Sequence, residues 1–184
     1  MNDKIIKTGI TKIGETYTIR YINENDVNGL LNFINEISKE KTFILRQGEQ
    51  LTLEEEQEFV NKQLKAIKEK IVIHLVIEIN KKIVAGAQLN LKRFVNSHVG
   101  HMGITILKNY RDQGLGRILI NTLINEAVKN LPELKIIDLS VFAINERAKH
   151  LYQSVGFTEY GRLPKGIKYK NEYIDEIFMY KVII

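Results

Sequence analysis

The chain has no cysteine and no tryptophan, and only two prolines, Pro132 and Pro164, in 184 residues. Without cysteine there is no disulfide, no thiolate metal site and no thiol nucleophile. The four histidines, His74, His98, His101 and His150, do not fall at metal-ligand spacing. No apolar run reaches the roughly 18 residues of a membrane-spanning helix. Met1-Asn2-Asp3-Lys4 does not open a basic-then-apolar leader. A cytoplasmic protein without membrane association is the expectation. Repeats, low-complexity tracts and Pro/Gly/Ser-rich linkers are also lacking, so one domain over residues 1–184 is expected.

A large excess of one charge is missing as well. Lysine and arginine total 27 against 22 acidic residues, a net charge of +5. The basic residues are interleaved: Lys62 to Lys70 follow Glu54 to Glu58, and Lys39-Glu40-Lys41 alternates in sign. With no basic block and no aromatic RNA-binding signature, nucleic acid is not an expected partner. The mild positive balance suits an ordinary solvated surface, and also the attraction of a polyanionic small ligand.

What is present is a glycine loop, Arg111-Asp112-Gln113-Gly114-Leu115-Gly116. An apolar, strand-like run precedes it and a helical run follows. Glycines let backbone N–H groups approach a ligand closely, and the helix N-terminus adds free donors and positive dipole. The stretch therefore reads as an anion cradle. A mononucleotide P-loop needs Lys and Ser/Thr after the last glycine, but Arg117-Ile118 stands there. A dinucleotide fingerprint needs a small residue where Leu119 stands, and a strand running straight into the first glycine. Asp138 lies at about the distance of the ribose-binding acid, but Lys108 to Gln113 separate strand from glycine.

The periodicity around the loop predicts alternating elements. Thr16 to Tyr21 reads as a strand. Asn23, Asn25 and Asp26 are capping candidates for a helix with Val27, Leu30, Leu31, Ile34 and Ile37 on one face. Thr52 and Glu55 form a capping box before the stripe Phe59, Val60, Leu64, Ile67. Ile71 to Ile79 and Lys82 to Leu91 read as strands joined by an Asn80-Lys81 turn. Gly86 marks a bulge or a close backbone approach. Val99 to Leu107 is a strand that ends before the loop. Beyond the loop Leu115, Ile118, Leu119, Thr122, Leu123 and Ala127 line a helix that Ile120, Ile124 and Val128 widen, and Pro132 bars its continuation. Lys135 to Phe142 reads as a buried strand, completing a strand–helix–strand crossover with the loop at the carboxyl end of its first strand. That is where α/β sheets bind ligands. Asn145 caps a further helix that Gly156 stops, and strands follow near Phe157 to Arg162 and Tyr173 to Val182.

Arg-x-x-Gly-x-Gly at Arg111 to Gly116 resembles the acyl-CoA loop of the GNAT N-acetyltransferase family, Gln/Arg-x-x-Gly-x-Gly/Ala. The segment Asn145 to Phe157 resembles that family's second motif, Asn-x-x-Ala-x-x-Leu-Tyr-x-x-x-Gly-Phe, in the right order and at the usual distance. The resemblance covers Tyr17 to Lys181, and Tyr173-Ile174-Asp175-Glu176 with Met179 adds to it. It implies a mixed α/β fold with a mostly antiparallel central sheet, flanking helices and a split at a parallel strand pair. It implies acetyl-CoA as cosubstrate. Ile104 and Ile106 would pair with the pantetheine arm, and the amides of Arg111, Gln113, Gly114, Leu115, Gly116 and Arg117 would hold the pyrophosphate. Asn145 would bind the cofactor beside its capping role, and Tyr152 would sit beside the sulfur.

Direct attack of an amine on a thioester needs an oxyanion donor, a proton donor for the thiolate and a base for the amine. Tyr152 is the candidate acid. His101 is the first candidate base, at a position where related chains often carry a carboxylate. His98, at the start of the same strand, is a candidate beside it; Glu78, Asp175 and Glu176 are weaker candidates, and His74 reads as a strand residue. No metal is expected. The region Phe43 to Lys70 is expected to shape the acceptor site. The acceptor is a small amine or amino acid, or else a peptide amino terminus. A non-catalytic acyl-CoA sensor is the reading of another class, and a homodimer is left open.

Overall fold

The computed structural model describes residues 5–183; the leader reading on Met1 to Lys4 lies outside them. In chain order the elements are β1 (Ile5–Ile10), β2 (Thr16–Tyr21), α1 (Val27–Lys39), α2 (Leu53–Lys68), β3 (Val72–Ile79), β4 (Lys82–Leu91), β5 (Val99–Ile106), α3 (Leu115–Asn130), β6 (Ile136–Phe142), α4 (Glu146–Ser154), β7 (Thr158–Tyr169) and β8 (Glu172–Val182). The eight strands form one sheet in the order β1-β2-β3-β4-β5-β6-β8-β7. Every neighbouring pair is antiparallel except β5–β6, which is parallel and joined by the α3 crossover.

Local chemistry explains most boundaries. Asn23 Oδ1 accepts from Asn25 N, and the Asp26 carboxylate accepts from Asn23 N at 2.8 Å, closing a capping box ahead of α1. Thr52 and Glu55 form the expected box at α2. Asn80 and Lys81 both take positive φ, 50° and 63°, as a two-residue hairpin turn of the twist-matched kind requires. The β3–β4 ladder passes Gly86 without a shift; the bulge lies instead between Ile77 and Glu78. At Gly86 the room above the backbone is filled by Phe33 of α1, which a Cβ would meet at 3.5 Å.

Alternation along the strands defines two faces. His74, Val76, Gly86 and Gln88 look toward α1 and α2, where Phe59 meets His74 edge-on at 6.0 Å between centroids. The opposite face carries α3, buried through Leu115, Leu119, Ile120, Leu123, Ile124 and Ala127, whereas Val128 is exposed. Each such buried Leu or Ile contributes on the order of 2 kcal/mol of apolar burial. Across the end of the sheet Arg20 holds Asp26 through two bonds of 2.7 and 2.8 Å, and Glu78 at 2.7 Å. The bond to Asp26, with help from Glu78, holds the Arg20 guanidinium above its usual range against desolvation.

Candidate active site

The parallel pair is short. β5 and β6 match only at Val99–Ile136, Gly100–Ile137 and His101–Asp138; beyond that rung they no longer pair with each other, while β5 stays on β4 to Ile106 and β6 on β8 to Phe142. The sheet is split from that point. Leu107 N donates to Val84 O at 3.0 Å. By the alternation of an antiparallel ladder, the odd-numbered backbone groups of β5 turn toward β4. Those of Ile104 and Ile106 turn into the split. Ile106 O accepts from Arg111 Nε at 2.8 Å, and Ile104 has no strand partner on that side.

The loop beyond β5 turns back on itself at Asp112 (φ 64°) and Gly114 (φ 82°). Gly114 is the N-cap of α3 and offers no side-chain cap. Ile118 N reaches Gly114 O at 3.3 Å, so the amides of Leu115, Gly116 and Arg117 precede the first in-helix bond. A Cβ on Gly114 would meet nothing within 4 Å; the space before these amides is open. Donors, dipole and room together fit a pyrophosphate. Arg111 does something else. Its amide donates to Lys108 O at 3.3 Å, and its guanidinium bridges Ile106 O and the Glu40 carboxylate. Glu40 also accepts from Lys108 N at 3.0 Å. Arg111 thus braces the loop against the end of α1. Gln113 Nε2 donates to Asn109 O at 3.1 Å, while its Oε1 is buried without a partner among the described residues. Arg117 is exposed.

On α4, Asn145 Oδ1 accepts from Ala148 N at 3.2 Å, so Asn145 is a true cap. Gly156 ends the helix at φ 90°. Tyr152 is buried, its ring 6.0 Å from that of Phe157, and its hydroxyl has no hydrogen bond among the described residues. Burial pushes its phenol up to about 12.

The candidate bases separate clearly. His101 lies on the α1/α2 face at the last rung of the parallel pair, its imidazole about half exposed, with Nδ1 2.7 Å from Asp138 Oδ1. Lys92 Nζ holds the other oxygen, Asp138 Oδ2. His98 contributes its carbonyl, which accepts from Lys135 N and Ile136 N. His74 is fully enclosed; desolvation pushes it down to about 4, and its Nδ1 has no partner among the described residues. Glu78 is paired with Arg20, and Asp175 accepts from Arg162 and from Lys165 N. Nothing in the sequence around Asp138 marks it as a partner of His101. Its place beside His101 depends on the β5–β6 register, for which strand periodicity carries no signal.

The segment between α1 and α2 folds across the same face. Phe43 packs on Phe142 and Tyr169 at 5.7 and 5.6 Å, and Tyr169 Oη donates to Lys41 O at 3.0 Å. Beside this closure lies a cavity of about 230 Å³ lined by Ile44, Gln47, Phe142, Ile167, Tyr169 and Glu176.

A split sheet with an anion cradle at its mouth and a basic side chain at its closed end has the form of an acyl-CoA site. The model of the acetyltransferase (GNAT) family matches residues 32–157. The structure of a GNAT-family acetyltransferase from Streptococcus pneumoniae is 32% identical, with a TM-score of 0.83 over 91% of this chain and 99% of that one. Two further structures share the fold. A ribosomal-protein-alanine N-acetyltransferase from Brucella melitensis is 24% identical, with a TM-score of 0.79 over 90% of this chain and 99% of its own. A spermidine N-acetyltransferase from Vibrio cholerae, in complex with CoA and spermine, is 23% identical, with a TM-score of 0.74 over 90% and 95%. No curated protein matches. This chain belongs to the acetyltransferase (GNAT) family: it is an N-acetyltransferase whose cosubstrate is acetyl-CoA.

Proposed function

We propose that the chain acetylates the primary amine of a small free molecule, a small amine or an amino acid, by direct attack. The observation that carries the acceptor class is the closure of the α1–α2 segment onto β7 through Phe43, Tyr169 and Lys41. It leaves a cavity sized for a small molecule, with Glu176 in its lining, where an open groove would suit a peptide. The spermidine N-acetyltransferase relative acts on an acceptor of this kind.

Acetyl-CoA supplies the thioester, whose acetyl group passes to the amine while coenzyme A departs as the thiolate and is then protonated by solvent. The amides of Asp112 to Arg117 bind the pyrophosphate, and Ile104 orients the pantetheine arm by strand-like pairing. Asn145, whose Oδ1 caps α4, would offer its side-chain NH2 to the cofactor. His101 takes the proton that the amine nitrogen loses. Tyr152 faces the sulfur. With its phenol near 12 and a thiol near about 8.5, full proton transfer is uphill by about 5 kcal/mol. Tyr152 therefore acts by donating a hydrogen bond to the departing thiolate.

Thiol release from acetyl-CoA, measured over a panel of small amines, amino acids and short peptides, tests this reading. Turnover with small amines or amino acids is the expected result. Turnover with peptides alone would overturn the acceptor class, and no turnover at all would favour a sensor.

A further inference from the structure

Resting on that reading of His101, we infer that Asp138 and Lys92 fix the tautomer of His101 and thereby make its Nε2 the proton acceptor for the attacking amine.

The argument begins with register. His101 and Asp138 are the last partners of the parallel pair, so the strand pairing itself presents the two side chains to one another on one face of the sheet. The contact is Nδ1 to Oδ1 at 2.7 Å. A carboxylate has only acceptors, so the proton on a neutral imidazole must lie on Nδ1. Nε2 is then left with its lone pair, and the ring is about half exposed. Asp138 is held on both sides. One oxygen takes His101 and the other takes Lys92, which comes from the end of β4. The Asp138 side chain is only 11% exposed, so little water competes for it, and it cannot rotate without giving up a charged partner.

Place matters as much as geometry. The pair closes the split at the rung where β5 and β6 part. The anion cradle begins past Ile106, five residues on, or about 17 Å along a strand. That is of the order of an extended pantetheine arm laid along β5 from a pyrophosphate in the cradle. The thioester end of the cosubstrate then arrives beside His101. In the step served, the amine nitrogen bonds to the acetyl carbon, the carbon–sulfur bond breaks with its electron pair going to sulfur, and the nitrogen's proton passes to Nε2. The step leaves the N-acetyl amine, coenzyme A thiolate and protonated His101; the imidazolium then returns its proton to solvent and the thiolate takes one from solvent, which gives coenzyme A thiol. Asp138 touches neither reactant, so it is a positioning residue; Lys92 positions Asp138 in turn.

The test joins spectroscopy to kinetics. Long-range proton–nitrogen correlation spectra of isotope-labelled protein report which ring nitrogen of His101 carries the proton, with or without an acceptor. The expected result is Nδ1–H in the unmodified protein and a shift of population to Nε2–H in Asp138→Asn, whose amide can donate to Nδ1. In steady-state assays Asp138→Asn should lower kcat at least about 10-fold with an unchanged KM for acetyl-CoA. His101→Gln should lose more, and the double variant no more than His101→Gln alone. Lys92→Met should give a smaller loss in the same direction. Unchanged melting and acetyl-CoA affinity in Asp138→Asn would show that the fold is intact. Nε2–H in the unmodified protein overturns the inference, as does full turnover in Asp138→Asn while His101→Gln is impaired. Full turnover in His101→Gln overturns the role of His101 itself. Failure of every amine to release thiol removes the proposed function and this inference with it.

Discussion

A Cβ on Gly116 would stand 2.9 Å from Leu151 Cδ2, so the glycine loop and the helix led by Asn145 meet so closely that a methyl there would require the Leu151 side chain to shift. The two sequence motifs of the family are thus one packed unit. Ile106, at 3.5 Å, completes the contact from β5.

The two glycines of the loop answer to different constraints, and substitution separates them. At Gly114 a Cβ meets nothing, but φ is 82°, and a left-handed residue with a side chain costs roughly 1–2 kcal/mol. Gly116 sits in the first turn of a helix with ordinary backbone, and its obstacle is the end of a mobile Leu side chain. Gly114→Ala should therefore lower stability by about 1 kcal/mol and weaken acetyl-CoA binding, because the loop amides re-aim. Gly116→Ala should be within about 1 kcal/mol of neutral, the gain in helix propensity offsetting the shift of Leu151. Gly116→Val should cost about 1–3 kcal/mol by overpacking. Thermal melts and calorimetric titration with acetyl-CoA distinguish the three.

Tyr152→Phe keeps the ring against Phe157 and removes only the hydroxyl. Because burial holds that phenol near 12, it stays protonated throughout the working range and contributes no ionisation there. The expected outcome is a fall in kcat of about 10- to 100-fold, an acetyl-CoA KM within a factor of about two, and a pH–rate profile of unchanged shape. A profile whose alkaline limb disappears in the variant would show that Tyr152 titrates during turnover.

His74 makes stability depend on pH. Its folded value is about 4 against about 6.5 in an unfolded chain. Between these values the unfolded state binds the extra proton, so stability falls as pH drops from about 6.5 to about 4. The total is on the order of 3 kcal/mol. Glu56 works in the opposite sense, since burial raises its carboxyl. Denaturant titrations of the unmodified protein and His74→Gln at neutral pH and near pH 4.5 should therefore show a smaller acid loss in the variant. An equal loss in both would mean that His74 is not the proton acceptor on unfolding.

Much of this architecture was legible in the sequence because its signals are local. Thr52 with Glu55, Asn80-Lys81 and Asn145 with Gly156 each act within a few residues and mark their elements correctly. The loop and its entry into α3 were legible for the same reason. What escaped depends on partners far apart in the chain. β1 has no alternating apolar pattern, as an edge strand with mostly exposed side chains. β7 runs on to Tyr169 past Arg162 because shifts in register around Pro164 let the ladder with β8 resume. The use of Arg111 as a brace requires Glu40, 71 residues away, and the His101–Asp138 pair requires a register that only the folded sheet sets.

Glu176 offers the sharpest test of the acceptor class. It helps line the small cavity beside Phe142 and Tyr169, whose lining holds no second carboxylate and one cationic residue, Lys168. An amine entering as an ammonium gains a charge-assisted hydrogen bond there, worth about 1.5–3 kcal/mol. Glu176→Gln keeps the shape and removes the charge. If the carboxylate binds substrate and transition state alike, KM for the amine should rise about 10- to 100-fold while kcat and the acetyl-CoA KM hold steady. A loss in kcat without change in KM would instead make Glu176 part of the proton transfer. No effect on any small amine, together with turnover of peptides, would place the acceptor outside this cavity.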